Sequence, residues 1–526
     1  MAQQTRATVA AGSGPITLID NVNGYTLNAA GELIRFQALL IDAAGKVIFA
    51  GARDVARKQG AGATRIDGRA RTVLPGLIDA HGHVMGQGVA LSALDLRGTA
   101  TLQDAQRVIS EYSRKHPDAA WIRGRGWNQE VWKLGRFPTA AELDAVVKDR
   151  PVWLRRVDGH AGWANTLALQ RAAITRDTPD PPGGRIERDA KGDATGVLID
   201  AAMGLIERQM PPLSEAENRA ALDAVLTHLR SVGLTSVHDM GVNVETDALY
   251  REYSQQGLLT TRVYGAIAGA GPVFDTLTRT GPPKTESSDR YALRAVKLFS
   301  DGALGSRGAA MLAPYSDAPA SHGLLFKSDA LMRADLERVI KAGYQVAAHA
   351  IGDAANRQLL NAFAALSDQY PIKDKRHRIE HAQVIAPDDI ARFAALGIIP
   401  SMQPIHATSD KNMAEARVGA ERIKGAYAWR SLLKSGARIA CGSDFPVEPA
   451  NPFLGLHAAV TRQDDKDQPQ GGWYANEAMT LKEALRCFTL DAAWAAHQED
   501  VLGSLEPGKW ADFIVVDRDI FRIAPR

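Results

Sequence analysis

The chain has 526 residues, 45% hydrophobic and 23% charged, the balance of a soluble globular protein rather than of a disordered or membrane-embedded one. That length exceeds what one small core can serve and implies two or three structural units. Its 62 basic and 60 acidic side chains nearly cancel, so neither nucleic acid nor an anionic membrane is expected as a partner.

The opening "MAQQTRATVAAGSGP" lacks the apolar centre of a signal peptide, and no apolar run reaches the roughly 18 to 20 residues that cross a bilayer. The expected location is the cytoplasm for the chain as given, or the periplasm or exterior if a leader has been removed. From Ile16 onward, "ITLIDNVNGYTL" and "GELIRFQALLIDAAGKVIFAG" read as short strands joined by Gly-containing turns. The far end, "LGSLEPGKWADFIVVD" from Leu502 to Asp517, has the same character and no helical region of its own to pack against. Residues 15–72 and 502–526 are therefore expected to join in one composite β-sandwich.

Between them lie eight apolar runs, each finishing in polar or charged residues: "RTVLPGLIDAHGH", "GLTSVHDM", "LTTRVYGAIA", "LRAVKLFSDG", "YQVAAHAIGD", "HRIEHAQ", "IIPSMQPI" and "RIACGSDFP". Apolar strands alternating with helical segments indicate parallel βα units buried on both faces. Eight of them predict an α/β fold, a (β/α)8 TIM-like barrel over residues 73–95 and 230–501. "SDALMRADLERVIKAG", Ser328 to Gly343, supports this by ending a helical stretch in glycine just before a strand. The rhythm breaks once, after the first run, where residues 96–229 form an insertion that holds Trp121, Trp127, Trp132, Trp153 and Trp163. These indoles suit core filling and the lining of a lid over the barrel mouth equally well. Cys441 and Cys487 lie far apart and make no CxxC, and they read as buried thiols, with a single bridge between them as the less favoured alternative.

Chemistry is suggested at the strand ends. His81 and His83 alternate to the same side of a strand, roughly 6.5 to 7 Å apart along the backbone, so both imidazoles can reach one ion. His349, His381 and Asp444 end three further strands, and imidazole and carboxylate are ligands that a borderline divalent ion such as zinc prefers. Four histidines and an aspartate on four strand ends are hard to obtain from core packing. Lys297 interrupts an apolar strand, where a bare ammonium is expensive to bury. It is either paired with an acid such as Asp301 or Glu380, or converted by carbon dioxide to a carbamate whose two oxygens can bridge two cations.

The ordered motifs "PGLIDAHGH", "VKLFSDGALGSR", "HAIGD", "RIEHAQ" and "CGSDFPV" resemble those of the amidohydrolase superfamily, in particular amidohydrolase family 3, which includes N-substituted formamide deformylases. The resemblance spans nearly the whole chain. It implies two divalent ions, most simply Zn2+, in a barrel. His81 and His83 would hold the more buried ion with Asp444, His349 and His381 the more exposed one, and a carbamate on Lys297 would bridge them. Asp444 would be the catalytic acid and base. His160, in "VDGHAGWAN", matches a family motif and is expected near substrate, with Trp127, Arg307, Gln403 and Phe445 as further pocket-wall candidates; His238 and Asp239 are expected to stand behind the site.

The expected activity is metal-dependent hydrolysis of a non-peptide C–N bond in a small molecule, an N-substituted amide or formamide. Hydrolysis of a lactone or ester, a deamination, or a non-catalytic barrel are the rival readings, and a homodimer is compatible with the chain. No Walker A loop, dinucleotide fingerprint, HExxH or Gly-x-Ser-x-Gly elbow occurs.

Overall fold

The computed structural model describes residues 15–129, 131–156, 161–181, 184–282, 290–305 and 307–525. Its central sheet has eight parallel strands: β1 (Leu77–Gly82), β2 (Leu234–Val242), β3 (Arg262–Ala268), β4 (Tyr291–Phe299), β5 (Gln345–Ala350), β6 (Arg378–His381), β7 (Ile399–Met402) and β8 (Ala440–Cys441). These are the eight apolar runs of the sequence, laid side by side in chain order. A parallel bridge between Gly82 and Phe445 brings β8 back to β1. The Asp444 amide donates to the His81 carbonyl at 2.7 Å and the His83 amide to the Phe445 carbonyl at 2.8 Å. The outer edges thus meet and the sheet curls into a barrel.

The strands are buried nearly end to end, as the continuous apolar runs require of a parallel sheet covered on both faces. Register then sets what the strand ends present. Lys297 lies opposite Ala347, Phe299 opposite His349 and Ala350 opposite His381, so polar residues of β4, β5 and β6 gather at one end of the barrel. The helix Asp329–Lys341 is capped by the Ser328 side chain, which accepts from the Leu331 amide. It closes at Gly343, whose φ of +82° suits glycine.

Both chain ends join in two four-stranded sheets. Phe513–Val516 pairs antiparallel with Thr72–Pro75, Phe513 opposite Pro75 and Val516 opposite Thr72. Ile19, Val22, Phe36, Leu39, Val73 and Leu505 fill the space beneath. The strand Thr72–Pro75 leads through Gly76 directly into β1, so the sandwich anchors the strand that carries His81 and His83.

The chain forms two compact units, one running to His83 and resuming at Leu226, the other spanning Val84–Val225. The second has its own six-stranded sheet, with Leu94–Asp95 at one edge and Gly184–Arg188 at the other. Two hydrophobic cores accompany it, one holding Trp127, Trp132 and Trp163, the other Trp121 and Trp153.

One expectation is corrected. Cys441 and Cys487 form a disulfide. Their separation of 46 residues is closed by the fold, because the helix Leu481–Cys487 packs on β8 and brings the two Cα atoms to 5.2 Å. Among the described residues, no helix is long and apolar enough to cross a membrane.

Candidate metal centre

The site is built from the ends of β1 and β8 outward. Gly82 separates the two histidines because nothing larger fits: a Cβ there would lie 2.4 Å from the Phe445 ring. The imidazoles of His81 and His83 stand 5.6 Å apart, edge to face. Opposite them is Asp444, whose Oδ1 lies 3.4 Å from His81 Nε2 and 3.1 Å from His83 Nε2. Asp79 fixes this juxtaposition from below. Its Oδ1 accepts from the backbone amides of His81 and Ser443, both at 3.0 Å, and its Oδ2 from the Ser443 hydroxyl at 2.6 Å.

His381 and Asp444 both adopt left-handed backbone, with φ of 71° and 65°. Such a conformation costs about 1–3 kcal/mol for a residue with a Cβ, and it turns both side chains out of the strand direction toward the common site.

A repeated hydrogen-bond pattern orients the imidazoles. His81 Nδ1 meets Glu380 Oε2 at 2.6 Å, His381 Nδ1 meets Gln403 Oε1 at 2.8 Å, and His406 Nδ1 meets Glu448 Oε1 at 3.3 Å. In each ring one nitrogen is tied to an oxygen, which leaves Nε2 as the free donor atom. Glu380 is held in turn by Arg378 at 2.8 Å, a buried guanidinium that also meets His238 Nδ1 at 2.7 Å and the Ser401 hydroxyl at 2.7 Å.

The ligand atoms of His81, His83 and Asp444 lie within 4.8 Å of one another, and so do those of His381, His406 and Asp444. Asp444 Oδ1 is buried and accepts no well-aligned hydrogen bond. An orphaned carboxylate oxygen beside imidazole nitrogens is what a divalent cation would satisfy, so these residues fit a metal.

The charge states agree. Burial, followed by the charges of neighbouring groups, pushes His349 down to about 3 and His381 well below the usual histidine range, leaving both as the neutral imidazoles that ligate metals. Burial alone would raise Asp444, but His81, His406 and His83 outweigh it and keep the carboxyl well below its ordinary value. His406 differs: burial opposes a proton there, yet Asp444 and Glu448 raise that histidine to about 10, so it stands protonated between the two carboxylates.

Lys297 is buried, with Nζ 3.2 Å from His81 Nε2 and 5.0 Å from the centre of the Phe299 ring. Neither acid considered as a partner pairs with it. Asp301 accepts instead from the amides of Ala310, Ile351 and Gly352, and Glu380 faces His81 and Arg378. Burial lowers the amine to about 8 against the opposing charges of Glu380 and Asp444.

Comparison with known proteins gives this geometry a family. The profile of the Amidohydrolase family matches residues 65–526. The chain belongs to the amidohydrolase family. It is 34% identical over 470 residues to the protein LONG AFTER FAR-RED 3 of Arabidopsis thaliana, covering 87% of this chain and 80% of that protein. It is 31% identical over 522 residues to the N-substituted formamide deformylase of Arthrobacter pascens, covering 95% and 93%. Among solved structures, an uncharacterized metal-dependent hydrolase from Pyrococcus horikoshii superimposes with a TM-score of 0.82 at 29% identity, over 97% of this chain and 99% of that one.

Within this amidohydrolase the other expected site residues fall in varied places. His349 stands beside His381, ring centres 4.5 Å apart, but its Nε2 is turned to the Gly302 carbonyl and Asp301 Oδ1, each at 3.4 Å. Gln403 is buried and orients His381 rather than lining a wall. Trp127 and Phe445, both expected at the pocket wall, are wholly buried: Trp127 donates to the Leu154 carbonyl inside the insertion, and Phe445 covers Gly82. Arg307 is partly exposed and paired with Asp317 at 3.0 Å. His160 lies outside the described residues. His238 and Asp239 are buried, bonded to Arg378 and to the Tyr250 hydroxyl. His406 and Glu448 went unread in the sequence, although His406 directly follows the seventh run, in "QPIHATSD". A cleft of about 1020 Å3 lined by Arg71, Arg230, Phe453 and the tail Phe513–Pro525 contains none of these groups and takes no part in the site.

Proposed function

We propose that this amidohydrolase is a metal-dependent hydrolase that cleaves a non-peptide C–N bond in a small molecule, an N-substituted amide or formamide. The observation that carries the reading is the convergence of His81, His83 and His381 on Asp444, with an unpaired buried lysine beside His81. The likeness to a formamide deformylase over nearly the whole chain supports the choice of bond. His81, His83 and Asp444 would hold one divalent ion, with zinc as the proposed metal, and His349 and His381 a second. Lys297 suits the bridging position because burial lowers its amine to about 8, so an appreciable fraction is unprotonated near neutral pH and can attack carbon dioxide. An N–C bond forms, a proton leaves, and the resulting carbamate replaces an unfavourable buried cation with an anion.

A divalent cation in this donor set would supply Lewis acidity, polarising a carbonyl and lowering the pKa of a water. The chain's own part is proton transfer and orientation. Asp444, ionised and buried at the strand end, takes the proton of the attacking water and delivers it to the departing nitrogen, which leaves as a neutral amine. Glu380 and Gln403 hold the rings of His81 and His381 so that neither drifts as charge develops.

The test combines elemental analysis of protein purified without chelators with turnover of a panel of N-substituted formamides and amides, followed by release of free amine. About two ions per chain and amine release that stops on chelation and returns with zinc are expected. Undiminished turnover by metal-stripped protein would overturn the reading. Preference for esters or lactones, or release of ammonia from a ring, would replace the proposed bond with a different one at the same centre.

A further inference from the structure

The cleft of about 1020 Å3 lies apart from the metal centre. Val232 and Gly233, in its wall, immediately precede β2, so it opens at the barrel end where strands begin, whereas His81 and Asp444 stand where strands finish. We infer that this cleft is a second ligand site, independent of the metal centre, and that it takes an amphipathic organic anion, a carboxylate carrying a hydrocarbon chain.

Three observations carry this. The first is the apolar floor. The helix Pro452–Thr461 contributes Phe453 and Leu456, and the C-terminal strand and tail contribute Ile514, Val515 and Ile523. The two walls converge at Gly233, where a Cβ would lie 3.6 Å from Ile514 and 3.9 Å from Phe453. Val515 and Ile523 stay exposed, which leaves aliphatic surface for a ligand chain to cover. The second is that the tail wall is fixed. Asp519 Oδ2 accepts from Asn23 Nδ2 and from the Tyr25 hydroxyl, both at 2.8 Å, and its Oδ1 accepts from the Phe521 amide at 3.0 Å. The Phe521 ring packs on that of Tyr25, centres 4.5 Å apart. The cleft is therefore formed in advance, at the upper end of the roughly 300–1,000 Å3 that small-ligand sites enclose. The third is charge. Among the described residues that line the cleft, Asp517 is the one acid beside Arg71, Arg230 and Arg518, and none of these three guanidiniums takes part in an ion pair. Other arginines of the chain are paired, as Arg262 is with Asp512 at 2.7 Å and Arg97 and Arg376 are with Asp95 and Glu499, each at 2.6 Å. Guanidinium forks with free donors suit a carboxylate. An uncharged lipid would leave them unused, and a short carboxylate would leave the apolar floor uncovered.

The test titrates the full chain with laurate, kept below its micelle concentration, and follows binding by calorimetry. Saturable uptake of one laurate per chain is expected, with dodecanol and acetate each at least about tenfold weaker because one lacks the charge and the other the chain. The combined variant Arg71→Gln, Arg230→Gln, Arg518→Gln should bind laurate about tenfold more weakly, the sum of three modest charge contacts, and Ile523→Asp should weaken it as well. Circular dichroism verifies that both variants are folded, and each serves if the other is not. Chelator-treated protein should bind laurate as the untreated protein does, which separates the cleft from a carboxylate caught by a metal ion. Laurate affinity unchanged in the folded variants, dodecanol bound as tightly as laurate, or binding lost on chelation would each overturn the site. Uptake by anionic phosphatidylserine vesicles without binding of free laurate would overturn it in favour of a membrane-facing surface. A dimer seen by light scattering that Ile523→Asp dissociates, with no laurate bound, would make this face an interface between copies of the chain instead.

Discussion

The barrel rim and the insertion both concentrate conspicuous side chains in buried positions, and they differ in what the polar atoms do there. In the insertion every indole nitrogen that reaches the backbone is satisfied by it: Trp127 donates to the Leu154 carbonyl at 2.7 Å, Trp163 to the Thr139 carbonyl at 2.8 Å and Trp132 to the Thr99 carbonyl at 3.1 Å. At the rim each oriented imidazole has one nitrogen tied and the other presented to a shared carboxylate. Burial with complete satisfaction is packing. Burial with a directed, unfilled remainder is a site.

The largest expected effect tests the rim half of this contrast. Asp444→Asn keeps the size of the side chain but removes its basicity, and turnover should fall about 10²- to 10⁴-fold, the usual range for a positioned acid or base. The thermal unfolding midpoint should stay near that of the parent, since Asp444 closes no core. Near-normal turnover would remove Asp444 from the proton transfer.

The insertion should respond in the opposite sense. Trp127 is wholly buried among Leu154, Trp163 and their neighbours, and Trp127→Ala should cost about 3–5 kcal/mol of stability through lost burial and a residual cavity. Urea unfolding measures that loss, and elemental analysis of the folded fraction should return the wild-type metal content. A stable variant with reduced metal content would break the comparison, because it would make Trp127 part of the centre.

Lys297 lies between the two kinds of region, since it is buried like the indoles but unpaired like a site residue. Lys297→Ala should bind fewer ions per chain by elemental analysis, and small carboxylates such as formate or acetate should partly restore both metal and turnover by standing in for the carbamate. Full metal occupancy in the variant would make the lysine an element of packing alone.

Much of this was legible in the sequence, for identifiable reasons. All eight barrel strands could be read because a parallel strand buried on both faces is an unbroken apolar run, and β1, β4, β5, β6 and β8 mark the candidate site by ending such runs in or near His81, Lys297, His349, His381 and Asp444. The meeting of the chain ends was legible because two hairpin-rich segments had nothing else to pack on. What stayed hidden depends on three-dimensional approach. The pairing of Cys441 with Cys487 is made by a helix packing on a strand. His406 follows the strand rather than ending it, and nothing in "QPIHATSD" shows that its helix turns it toward Asp444. Trp127 and Phe445 are pocket candidates by their place in the insertion and near a strand end, yet each occupies the interior that an aromatic side chain of that size most readily fills.

The smallest effect gives the sharpest test. Gln403 Oε1 and the Leu154 carbonyl accept bonds of nearly equal length, 2.8 Å from His381 Nδ1 and 2.7 Å from the Trp127 indole, so bond geometry alone does not distinguish the two regions. Their consequences should. Gln403→Ala leaves His381 Nδ1 without its acceptor in a buried position, frees the ring to turn and no longer fixes the tautomer that presents Nε2. Metal affinity, measured by competition with a chromophoric chelator, should weaken about 10- to 100-fold with little change in unfolding midpoint. Gln403→Glu retains an acceptor at the same place and should bind metal much as the parent does. If the alanine variant instead holds metal as tightly as wild type and loses only stability, the Nδ1 contact of His381 is packing like that of Trp127, and the distinction between rim and insertion must rest on Asp444 and the Nε2 atoms alone.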